Sequence, residues 1–159
     1  MPKTVLVLLA VFGWSFVKGV ELLVRGSNTA DRVLYEQVGL GWLAVAFFAV
    51  IAILDLAAVR YLIRPAPIGR LVCLASIGLS ALQTSLAFAV ARAHPDVARR
   101  AFVISRESRG LPVAPEAIDA FVDPTMSMLL LGFSLLVSGV VAFLVVWNRG
   151  FFEGSATRV

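Results

Sequence analysis

The sequence predicts an all-α protein: a four-helix transmembrane bundle with a roughly 30-residue, partly helical amphipathic loop between helices 3 and 4. Three observations predict it. The chain of 159 residues is 60% hydrophobic and only 15% charged, whereas a soluble domain is about half apolar and about a quarter charged. A chain this small keeps a large surface and cannot hide so much apolar material in one core. The apolar residues also fall in four blocks, each long enough as helix to cross a bilayer core, which takes about 20 residues. The expected organisation is a single integral membrane domain over residues 1–159, with spans near 4–24, 38–63, 68–93 and 124–147 and the loop near 94–123.

The first block follows Lys3 and is closed by Arg25-Gly26-Ser27-Asn28. Bulky residues, Trp14-Ser15-Phe16-Val17-Lys18, stand where a signal peptide would carry a small-residue cleavage site, so it is read as a retained helix. Trp14 falls near its middle and is expected to pack. The second block has an uninterrupted apolar stretch from Leu43 onward and ends at Arg60 and Arg64. Arg64-Pro65-Ala66-Pro67 is a turn, because two prolines cannot continue a helix. So short a connection makes the second and third helices antiparallel neighbours. The third block is the most polar, with Ser76, Ser80, Gln83, Thr84 and Ser85, and ends at His94-Pro95. Asp123-Pro124 opens the fourth, Asp as cap and Pro at the first helical position, and Asn148-Arg149-Gly150 closes it.

Within the loop, residues 95–105 have helical spacing, with Val97, Ala101 and Ile104 on one face and Arg99 and Arg106 opposite. A second short helix is expected from Pro115, with Ile118, Phe121 and Val122 together. Both read as helices at headgroup level; the competing reading is a solvated loop of irregular structure.

Net charge is +4 and the sequence pI is about 10.0. The basic residues flank apolar blocks, which serves topology and anionic headgroups; the expected partner is the lipid bilayer and not nucleic acid. The turn around Pro65 is short and purely basic, while the other loops carry acids such as Asp31, Glu36, Asp96 and Asp119. The count of basic residues on the two sides does not decide orientation; on the character of this turn, the expectation is that both termini and the turn lie on the cytoplasmic side of the cell membrane.

Polar residues inside apolar blocks are the candidate site. An ionised group at membrane depth costs roughly 2.5–3.5 kcal/mol even on insertion scales. Lys18 and Glu21 are three apart, share a helix face and can pair. Gln83, on a helix parallel to the first, reaches a similar depth, and Thr84 lies beside it. These four form a candidate intramembrane polar site; the competing reading is a snorkelling Lys18 and hydrogen-bonded helix packing. Asp55, late in the second block, is a secondary candidate, with Arg60 poorly spaced to pair with it. Gly132, Ser134, Ser138 and Gly139, like Ser15 and Gly19, allow close backbone approach, within the bundle or between proteins.

Several chemistries have no residues to carry them. His94 is the only histidine and Cys73 the only cysteine, so there is no bis-histidine haem site and no Cys-x-x-Cys. No metal-ligand spacing, nucleophile elbow or phosphate-cradling glycine loop is present. No cofactor or metal is expected. The expected function is that of a non-enzymatic subunit or accessory protein acting through assembly, with itself or a membrane partner. The alternative is a small transporter or channel-like protein using Lys18, Glu21 and Gln83.

Overall fold

The structure, a computed structural model, describes residues 2–24 and 30–153. The expected stop at Arg25-Gly26-Ser27-Asn28 lies outside them. The described residues form eight helices and no strand: α1 Lys3–Val24, α2 Ala30–Gln37, α3 Gly41–Ile63, α4 Pro67–Ala93, α5 Pro95–Glu107, α6 Pro115–Val122, α7 Pro124–Trp147 and α8 Arg149–Glu153. Four of them, α1, α3, α4 and α7, are long and apolar enough to cross a membrane.

These four pack in the order α1–α3–α4–α7, with slight contact between α1 and α7. The proline turn sets α3 against α4, and Pro67 stands in the first turn of α4, where its missing N–H costs nothing. The main core lies at the end that holds the Pro65 turn: Leu8 and Phe12 of α1, Leu62 of α3, Cys73 of α4 and Val145 of α7 meet there. Phe152 of α8 folds back into the same core. Thr4 Oγ1 donates to Asn148 Oδ1 at 2.8 Å, which ties the start of α1 to the end of α7.

At the opposite end sits a cap made of α2, α5 and α6. Val33 and Leu34 of α2 pack on Ala98 and Ala101 of α5. Phe102 stacks on Phe121 at 4.5 Å between ring centroids, and Arg99 pairs with Asp119 at 3.0 Å, joining α5 to α6.

Two expectations change here. The second long helix begins at Gly41, not at residue 38, because a separate helix precedes it. Gly39 adopts φ +78°, its N–H bonds the Glu36 carbonyl at 3.1 Å, and the Leu40 N–H reaches the Tyr35 carbonyl at 2.7 Å. This paired closure, with glycine in the left-handed region, ends α2 and reverses the chain into α3. The buried face of α5 is also shifted. It runs through Ala98, Ala101 and Ser105, while Ile104 is 40% exposed. The reason is α2, which covers α5 from a direction that the loop taken alone does not reveal.

Candidate functional site

Lys18 and Glu21 form an ion pair of 2.7 Å, with side chains 49% and 37% exposed. One helical turn earlier, the Trp14 ring lies 5.1 Å from the Lys18 ammonium. Trp14 is 66% exposed, so it shields the cation and does not pack in the core. The group stands on the outside of α1. The inner face of α1 is used differently: a Cβ added at Gly19 would lie 3.2 Å from the Ala52 Cβ, so the glycine lets α1 and α3 approach.

Gln83 is buried and belongs to a second grouping. Its Nε2 donates to Asp31 Oδ2 at 3.3 Å, and its backbone carbonyl accepts from the Tyr35 hydroxyl at 3.5 Å. One residue of α4 thereby holds α2 through both an acid and a phenol. Burial raises the Asp31 carboxyl above the ordinary carboxylate range, partly offset by the Gln83 hydrogen bond. Burial also pushes the Tyr35 phenol up, and the negative charge of Asp31 adds to it. Thr84 donates to the Ser80 carbonyl at 3.0 Å, which leaves its hydroxyl oxygen free to accept. The structure thus brings Lys18 to Glu21 and Gln83 to Asp31. Among the described residues no hydrogen bond or ion pair joins the two groupings, and α1 and α4 share little direct packing because α3 stands between them.

Asp55 forms a third centre. It is 1% exposed, and its Oδ1 accepts from the Ser76 hydroxyl. Its Oδ2 is buried without a hydrogen bond of ordinary geometry. Ser15 of α1 approaches the same carboxyl. No basic side chain pairs with Asp55 among the described residues. Asp55 lies about 12 Å before the end of α3 at Ile63, at 1.5 Å per residue, so it stands well inside the helix.

A cavity of about 420 Å³ opens between α2, α4, α5, α6 and α7. Its walls are mainly apolar, including Leu34, Phe88, Phe121 and Leu131; Asp31, Thr84, Arg92 and Ser127 supply its polar groups. Asp31 and Arg92 were missed in the sequence as site residues. Asp31 lies in a stretch whose polarity reads as loop, although Val33 and Leu34 next to Asp31 and Glu36 carry a short amphipathic pattern. Arg92 reads as the basic end of a span. Comparison with known proteins adds no relative: no family model, curated protein or solved structure matches the chain.

Proposed function

We propose that the protein is embedded in a membrane through α1, α3, α4 and α7 and acts there without catalysis, as a subunit or accessory protein that assembles with further transmembrane helices. Four long apolar helices with largely exposed outer faces support the embedding. The basic turn at Pro65 supports cytoplasmic termini in a cell membrane.

The observation that carries assembly is α7. Of its 24 residues only Val145 is buried. Ser134 and Ser138, half-buried, face inward, and the Ser138 hydroxyl returns to the Ser134 carbonyl at 3.0 Å. Gly132 and Gly139 share the other face, and nothing lies within 4 Å of where a Cβ would stand on either. Small residues at a helix surface let another backbone approach closely; among the described residues nothing uses these two. The paired, surface placement of Lys18 and Glu21 also suits a structural role.

Extraction in mild detergent from the membranes that naturally contain the protein tests this. The wild type should migrate well above its 17.1 kDa monomer mass on a native gel. Gly132→Leu combined with Gly139→Leu should migrate as the monomer with an unchanged far-ultraviolet spectrum. A wild type already monomeric, or a double variant that migrates like it, contradicts assembly through this face.

A second reading, a small transporter or channel-like protein, is favoured by Asp55. An enclosed acid with a free oxygen suits proton or cation handling better than Lys18, Glu21 and Gln83, each of which has a partner. Flux in proteoliposomes that Asp55→Asn abolishes would establish it; no flux, or flux indifferent to Asp55→Asn, would remove it.

A further inference from the structure

Asp55 stands in a closed layer between three helices. α1 and α3 run antiparallel. Leu8 and Leu62 share the core at the Pro65 end, and further along Gly19 meets Ala52, where an added Cβ would lie 3.2 Å from the Ala52 Cβ. Ser15 and Asp55 lie between these two points, each about one helical turn from the Gly19–Ala52 contact. This register sets Ser15 opposite Asp55, and the two side chains are within hydrogen-bonding reach. α3 and α4 also run antiparallel. Tyr61 meets Gly69 near the proline turn, where an added Cβ would lie 2.6 Å from the Tyr61 Cβ. About two turns further, the same register brings Asp55 to the Ser76 hydroxyl. One carboxyl is thus shared by α1, α3 and α4.

Apolar residues close the layer on both sides. One turn toward the Pro65 end, Phe12, Ala58 and Cys73 are buried in the main core. One turn toward the cap, Gly19 and Ala52 are buried against each other. No counter-charge enters among the described residues. Lys18 pairs with Glu21 on the outer face of α1, Arg60 is exposed, and the other ionisable group beside Asp55 is the buried Cys73 thiol. A carboxylate taken out of water without a cation is so costly that the group takes up a proton instead. A protonated carboxyl has one O–H to give and keeps acceptor capacity. Here Oδ1 accepts from Ser76, and Oδ2 is the buried oxygen still without a hydrogen bond of ordinary geometry. The Ser15 oxygen has lone pairs to accept from it.

We infer that Asp55 is a proton-binding site: at neutral pH it is a neutral carboxylic acid, with Oδ2–H donated to Ser15 of α1 while Oδ1 accepts from Ser76 of α4. The proton removes the charge and supplies the donor that Oδ2 lacks. This concerns the acid of the transporter reading and names its ion as a proton, but it rests on the burial of Asp55 and needs neither flux nor assembly through α7.

Infrared spectroscopy of the protein in detergent at neutral pH tests it, with the aspartate side-chain carboxyls labelled by a heavy carbon isotope. A protonated carboxyl has a C=O stretch above the amide bands, and the label marks it as an aspartate's. The wild type should show such a band. Asp55→Asn should lose it, and Asp31→Asn should keep it. Ser76→Ala and Ser15→Ala should each move it to higher frequency, because hydrogen bonds at the C=O and the O–H both lower this stretch. Those two variants keep the test decisive if Asp55→Asn fails to fold. A wild type without the band overturns the inference, as does a band that Asp55→Asn leaves intact or that Ser15→Ala does not move. Flux lost in Asp55→Asn without this band would overturn the inference and leave the transporter reading standing; the band without flux would do the reverse.

Discussion

At the scale of single residues, two acids that share a chain have opposite surroundings. Glu21 has a cation beside it on the outer surface of α1. Asp55 has a serine and no cation inside the bundle. The Ser76 bond satisfies one oxygen of this buried acid, and leaving a buried polar group without its partner costs about 1–3 kcal/mol. The bond needs an acceptor and no charge. Asp55→Asn should therefore keep stability within about 1 kcal/mol, whereas Asp55→Ala should lose about 1–3 kcal/mol by leaving Ser76 without its partner. Cys73 supplies the readout: it is the only cysteine and is fully buried, so a thiol-reactive dye reports unfolding directly. A large loss in Asp55→Asn would show that the carboxyl works as a charge. Asp55 was legible as a polar residue in an apolar block, but its partner was not. Ser76 is 21 positions away, and nothing in a serine's local pattern separates one that bonds across a helix pair from one that bonds its own backbone, as Thr84 and Ser85 do.

At the scale of elements, the long helices were legible because each depends only on local composition and on stops such as the proline turn. The cap was not, because it depends on contacts between short helices. α2 has eight residues, too few to hold a helix in isolation. It is held by Val33, Leu34 and Tyr35 against its neighbours, and by Gln83 through Asp31. For the same reason the face of α5 came out rotated: the surface that covers it is α2. Asp31 makes this docking pH-sensitive. Its folded carboxyl titrates above its unfolded value of 3.8, so the folded state binds more protons as pH rises past that value, and stability falls until the folded group has ionised. The stabilisation is fully present below about pH 3.8 and is lost as pH rises through the raised value. Among the described residues, Tyr35 on α2 feels the Asp31 charge, Arg32 follows Asp31 in the same helix, and Arg92 on α4 lines the same cavity. Protection of the α2 amides, taken relative to the intrinsic exchange rate at each pH, should therefore fall in the wild type as pH rises above 3.8. It should not in Asp31→Asn, which cannot ionise. An identical pH response in the two proteins would show that Asp31 does not govern the docking.

At the scale of the whole molecule, the parts divide into a tight end and an open end. The core at the Pro65 end joins α1, α3, α4, α7 and α8, and the cap closes the other end around a cavity. This division explains why polar groups cluster where they do. Asp55 and Ser76 sit in the tight half, while Asp31 belongs to the cap and Gln83 and Arg92 lie on α4 at the cavity end. It also explains why the site imagined from depth alone was incomplete: equal depth on parallel helices does not make neighbours when a third helix stands between them. The account as a whole requires the two ends to lie on opposite sides of a membrane. Single cysteines at Ala66, in the proline turn, and at Glu116, in the cap, test this in a Cys73→Ala background, with a membrane-impermeant maleimide applied to intact cells. The account predicts that Glu116→Cys labels in intact cells and that Ala66→Cys labels only after the membrane is opened. Labelling of both positions from the same side would contradict it.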